Sequence, residues 1–104
     1  LLQFLKSKKS YKKFVIFSML QDKDCGGFLK KISSETDQLI TLAIPNEPKS
    51  RSAIELAEIA SKTGIKSVTA KNFEEAFTFC ENERKSLILI CGSLYLAGEF
   101  LSLL

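Results

Sequence analysis

A chain with no histidine must draw its chemistry from lysine, arginine, carboxylates and backbone amides, and three short stretches offer these groups. Gly92-Ser93 directly follows the apolar run Ser86–Cys91, as if a buried strand ended and a helix began there. Free amides and the helix dipole at such a junction favour a carboxylate or a phosphate. A plain Ser N-cap accounts for the same pair of residues. Lys49 and Arg51 stand in Pro45-Asn46-Glu47-Pro48-Lys49-Ser50-Arg51, where two prolines stiffen the loop and present two cations able to clamp an anionic ligand. As ordinary surface charges beside a helix start they would instead oppose its dipole. The third stretch, Gln21-Asp22-Lys23-Asp24, carries two carboxylates, Asp22 and Asp24, that either bind a cation or cap the following helix.

Composition limits what these groups can do. With 104 residues, 45% hydrophobic and 26% charged, the chain fits one small domain with a core of its own. The lack of histidine removes Ser-His and Cys-His nucleophile pairs, imidazole proton shuttles and mixed zinc sites. Cys25, Cys80 and Cys91 are too few and too scattered for a disulfide framework and read as reduced thiols of a cytoplasmic protein, with Cys80 and Cys91 buried in apolar runs. Neither a metal nor an acid–base pair of carboxylates is implied. The apolar stretch Leu87–Leu104 is broken by Gly92, Ser93, Glu99 and Ser102, so no membrane partner is expected. Against a net charge of +3, Lys6, Lys8, Lys9, Lys12 and Lys13 alone supply five positives, leaving −2 for the rest. This cluster lacks a nucleic-acid motif and reads as a solvated helix end and turn.

The elements that must position these loops alternate. Leu1 to Lys9 resembles the end of an amphipathic helix, and Lys13–Met19 is a continuous β-branched and aromatic strand. Asp22–Ile32 reads as a helix capped by Asp22 or Asp24, and Gln38–Ile44 as a strand stopped by Pro45. Ser52-Ala53-Ile54-Glu55 and Asn72-Phe73-Glu74-Glu75 have capping-box spacing, opening helices that run to about Thr63 and through Cys80. Gly64 is the left-handed stop of the first. Lys66–Thr69 and Ser86–Cys91 complete four strands, and Leu94–Leu103 forms a last helix. The fold class is α/β: a Rossmann-like, mostly parallel sheet with helices on both faces. In such sheets ligands bind beyond the carboxyl ends of the strands, where all three stretches lie.

Three stretches together carry a family resemblance. Ile90-Cys91-Gly92-Ser93-Leu94-Tyr95-Leu96-Ala97-Gly98-Glu99, Met19-Leu20-Gln21-Asp22-Lys23-Asp24 and Ile44-Pro45-Asn46-Glu47-Pro48 resemble the C-terminal domain of folylpolyglutamate synthase/dihydrofolate synthase, of the Mur ligase superfamily. The resemblance extends over essentially the whole chain and implies the Mur ligase C-terminal domain type of fold. It also implies a cytoplasmic ligase in which ATP, with Mg²⁺, phosphorylates a carboxylate of a folate or dihydropteroate and L-glutamate attacks the acyl phosphate. On that resemblance the domain closes over the ATPase domain and helps complete the glutamate and nucleotide sites at the interface, where Gly92 and Ser93, with Lys49 and Arg51, face the glutamate side, one of the two cations matching the family's arginine after proline. Asp22 and Asp24 match a loop of structural or interdomain role. The family's phosphate-binding loop, Mg²⁺ ligands and preceding Gly-Ala-His-Asn-Pro segment do not occur in this sequence.

The expectation is therefore a single domain over residues 1–104, N-terminally truncated within its first helix. Its partner would be the N-terminal ATPase domain, without which it is inactive and binds neither ATP nor Mg²⁺. A stand-alone module for small anions and a decayed, non-catalytic remnant are the competing expectations.

Overall fold

The computed structural model describes residues 2–80 and 85–92. Helix α1 (Leu2–Ser7) leads into strand β1 (Lys12–Phe17), followed by α2 (Cys25–Ile32) with a 3-10 turn at Ser33–Glu35. Next come β2 (Gln38–Thr41), α3 (Ala53–Ser61), β3 (Ser67–Thr69), α4 (Phe73–Thr78) and β4 (Ser86–Cys91). The strands make one sheet in the order β3-β2-β1-β4, each pair parallel. The expected last helix and Ser93 lie outside the described residues.

After Lys12 and Lys13, β1 is apolar because it is an inner strand covered on both faces, and Phe14, Val15, Ile16 and Phe17 are all buried. Alternate side chains enter two cores. Val15, Phe17 and Leu39 meet Leu5, Leu29, Ile32, Leu56 and Ala60 from α1, α2 and α3. Phe14, Ile16 and Ile40 meet Phe73 and Ala76 of α4 on the other side. Phe28, half-buried on α2, stacks on Phe17 with ring centroids 5.4 Å apart. Each fully buried aromatic or aliphatic side chain contributes roughly 1.5–3 kcal/mol, so these two layers hold the sheet in place beneath its loops.

The helix starts follow from their caps. Asp24, not Asp22, caps α2: its Oδ1 accepts from Gly27 N at 3.0 Å, so the helix begins at Cys25, three residues later than the sequence pattern predicts. Ser52 Oγ accepts from Glu55 N at 3.0 Å, and Asn72 Oδ1 from Glu75 N at 2.8 Å. The return half of each expected capping box goes elsewhere. Glu55 pairs with Arg51, and Glu75 accepts from Lys71 N. Gly64 has φ +83, the expected left-handed stop, although α3 itself ends at Ser61.

Lys13 departs from the solvated cluster expected for the N-terminal lysines. It is 6% exposed, and its Nζ donates to Leu5 O at 3.2 Å and Glu35 Oε1 at 2.9 Å, joining the end of α1 to the turn after α2. Lys6, Lys9 and Lys12 are exposed, and Lys8 lies over the rings of Phe4 and Tyr11.

Candidate functional site

The chain runs outward from β1 through β2 to β3, then returns to place β4 on the opposite side of β1. This reversal opens a crevice beyond the carboxyl ends of β1 and β4, the usual ligand position in an open parallel sheet. Ser18 continues from β1 with its N–H donating to Cys91 O at 3.3 Å, and Gly92 leaves β4 with φ +140. A Cβ at residue 92 would collide with the Ser18 carbonyl, so only glycine lets the two backbones meet here. Ser18 is fully buried and its hydroxyl has no hydrogen-bond partner among the described residues.

Two loops rise from the same edge and are stitched to each other. Residues 18–24 follow β1 and residues 42–52 follow β2. Leu20 and Ser50 form an isolated antiparallel bridge, Gln21 N donates to Lys49 O at 2.9 Å, and Arg51 N donates to Met19 O at 3.0 Å. The Arg51 guanidinium completes the staple. Its Nη2 donates to Gln21 O and Lys23 O, both at 3.0 Å, while Nη1 pairs with Glu55 Oε2 at 2.9 Å. The second loop is closed on itself by Ser50 Oγ, which accepts from Ile44 N at 2.8 Å and donates to Arg51 O at 2.9 Å. Asn46 turns the chain with φ +58.

Between the two loops lies a cleft of about 500 Å³ lined by Leu20, Gln21, Asp22, Glu47 and Lys49. That volume lies within the range of small-molecule sites. Asp22 and Lys49 are exposed and Glu47 is half-buried. None of the three is in an ion pair among the described residues. The residues singled out from the sequence therefore divide. Asp22 and Lys49 share the cleft, Asp24 caps α2, and Arg51 is engaged with backbone carbonyls. Gly92 lies at the β1–β4 crevice and Ser93 outside the described residues. Glu47 is a cleft residue that sequence reasoning passed over, although its place between two prolines was a usable signal.

Of the three thiols, Cys25 is buried, whereas Cys80 and Cys91, expected to be buried, are half-buried. Burial pushes Cys91 up to about 12 and also raises Cys25 and Cys80 above the ordinary thiol value. Among the described residues no group of three His, Cys, Asp or Glu could hold a metal ion, and no phosphate-binding loop occurs in the sequence. The described residues therefore offer neither a ligand set for Mg²⁺ nor a phosphate loop for ATP. Among the described residues no helix is long and apolar enough to cross a membrane.

No protein-family model matches the sequence, and no curated protein sequence matches it either. Solved structures do match. The Yersinia pestis bifunctional folylpolyglutamate synthase/dihydrofolate synthase complexed with AMPPNP and Mn superposes with a TM-score of 0.83 at 21% identity, covering 97% of this chain and 24% of that one. E. coli FolC in complex with DHPP and ADP gives 0.80 at 18% identity, covering 98% and 25%. Mycobacterium tuberculosis folylpolyglutamate synthase complexed with ADP gives 0.80 at 18% identity, covering 98% and 26%. The chain spans about a quarter of the length of these proteins. The order β3-β2-β1-β4 and this coverage show an α/β domain of the Mur ligase C-terminal type, the fold that the resemblance to the folylpolyglutamate synthases implied.

Proposed function

We propose that this chain is the glutamate-side, C-terminal domain of a cytoplasmic ATP-dependent ligase that joins L-glutamate to a folate or to dihydropteroate. The observation that carries the reading is the cleft at the carboxyl edge of the sheet, where Lys49 and Asp22 have no ion-pair partner among the described residues while the neighbouring Arg51 and Asp24 hold the walls in place. Near-complete coverage of this chain by one quarter of nucleotide-bound folylpolyglutamate synthases supports the same reading. Lys49 holds a carboxylate of glutamate, with Gly92 at the neighbouring crevice and Ser93, the next residue in sequence, as a further substrate contact. Arg51 acts as the positioning residue. Phosphate activation of the acceptor, with ATP and Mg²⁺, belongs to the N-terminal ATPase domain as partner. The present chain supplies the second substrate and is inactive by itself.

The test is glutamate- and folate-dependent ADP release from this chain, from an ATPase half, and from the two mixed. Activity only in the mixture supports the proposal. Silence in the mixture, with a competent ATPase half and a cooperatively folding chain, refutes it. Glutamate or phosphate binding without turnover would then favour the reading as a stand-alone anion-binding module, for which the motivating observation is Lys49, in no ion pair among the described residues.

A further inference from the structure

The charges in the cleft are of both signs, and carboxylates outnumber the cation. Asp22 and Glu47 stand with Lys49 around one volume of about 500 Å³, with no ion pair among the described residues to neutralise them. A site built only for an anion would be weakened by two carboxylates, because like charge at short range opposes binding. A ligand that presents an ammonium beside a carboxylate suits the same arrangement, since each of its ends finds a partner of opposite sign.

From this we infer that the cleft recognises the α-ammonium of its amino acid through Glu47 and Asp22, while Lys49 takes a carboxylate. This rests on the reading of the cleft as the glutamate side and adds how an amino acid is told from a dicarboxylic acid of the same length. Glu47 is the stronger discriminator: it is half-buried, in a turn where its N–H donates to Ile44 O at 3.3 Å and its carbonyl accepts from Ser50 N at 3.1 Å. Its carboxylate is thus carried on a fixed backbone. Asp22 faces it from the other loop, whose backbone is tied to the first by Gln21 N and the Arg51 guanidinium. A ligand lacking the ammonium leaves both carboxylates unmatched beside its own negative charge.

The experiment is a titration of the ¹⁵N-labelled full chain with L-glutamate and with glutarate, read by two-dimensional NMR so that weak binding is measurable. L-glutamate should shift the amides of residues 20–22 and 47–49, and glutarate should bind about tenfold more weakly, the scale of one lost charge-assisted hydrogen bond. Glu47→Gln combined with Asp22→Asn should bring the two ligands within about threefold of each other, while Lys49→Met should weaken both. Glutarate binding as tightly as glutamate, or a preference unchanged in the double variant, overturns the ammonium assignment and leaves the cleft as a carboxylate site. Failure of both ligands to shift the cleft amides overturns the reading of the cleft itself. Thermal unfolding of each variant provides the folding control, since all three substitutions lie in loops away from both cores.

Discussion

Replacing Arg51 by methionine isolates the loop staple, because the apolar stem is kept while every donor of the guanidinium is removed. Two hydrogen bonds to carbonyls are lost, those to Gln21 O and Lys23 O. With a charged donor each contributes about 1.5 kcal/mol net at the lower, solvent-facing end of the range, so together about 3 kcal/mol. The pair with Glu55, whose side chain is 42% exposed, adds only about 0.4 kcal/mol. Losing a positive charge before the N-terminus of α3 returns a similar amount through the helix dipole, roughly 0.4 kcal/mol. Nε is buried without a partner among the described residues, and removing it recovers about 1 kcal/mol of desolvation. The expected destabilisation is therefore about 2 kcal/mol.

For a domain near 100 residues, about 2 kcal/mol corresponds to a fall in Tm of roughly 8–16 °C. Arg51→Lys should recover less than half of it, since one ammonium cannot reproduce the fork that reaches two carbonyls and a carboxylate. Differential scanning calorimetry on the three proteins measures both effects. A drop of less than about 3 °C for Arg51→Met would refute the staple and return Arg51 to the role of a free ligand-binding cation.

Gly92→Ala places a Cβ against the Ser18 carbonyl at φ +140 and should cost at least about 3 kcal/mol in urea unfolding, whereas Gly64→Ala, at φ +83 with open space, should cost about 1 kcal/mol. Equal effects of the two would count against the close β1–β4 approach. The hydrogen bond from Lys13 holds the Glu35 carboxyl below its ordinary value of 4.5, so the pair's contribution is complete above that pH and disappears as pH falls through the depressed value. Glu35→Gln should therefore lower stability at neutral pH and flatten the acid side of the stability curve, and an unchanged acid limb would show that the pair is not formed. Cys91, pushed up to about 12 by burial, should resist iodoacetamide at pH 8 in the native protein and react fully once unfolded. Native-state labelling at the unfolded rate, measured by mass spectrometry, would contradict its placement against the core.

Strand and cap positions were legible in the sequence because they depend on residues close together along the chain. Phe14–Phe17 had to be an inner-facing run, and Ser52 and Asn72 could be identified as caps from the residue three places on. Ser86–Cys91 reads as an equally buried strand, yet it is only half-buried, with Ile88 39% exposed, because β4 ends the strand order instead of lying inside it. What the sequence could not assign depends on partners brought together only by the fold. Lys13 is buried because Glu35, 22 residues away, and the Leu5 carbonyl of α1 converge on it. The return half of the Ser52 box is absent because Glu55 finds Arg51 instead. β2 ends at Thr41 rather than Ile44 because β3, its outer neighbour, stops at Thr69. After Leu42, whose N–H still reaches Phe17 O, the chain enters the Ser50-pinned loop.

The site shows the same division at closer range. Asp22 and Asp24 are two residues apart, as are Lys49 and Arg51, and each pair is chemically uniform in sequence. The fold takes one member of each for its own backbone: Asp24 for the N-terminus of α2, Arg51 for the carbonyls of the facing loop. The other member is left on the cleft. A ligand spanning Asp22 and Lys49 meets walls whose relative position is already fixed, so less of its interaction energy is lost in ordering them. Binding and stability are then linked through Arg51. Glutamate should raise the Tm of the native chain in proportion to the logarithm of its concentration once above Kd. In Arg51→Met the same concentration should give a smaller increase, because part of the binding energy goes into closing loops that the guanidinium no longer holds. Equal increases in the two proteins would separate the staple from the site and leave Arg51 a purely structural residue.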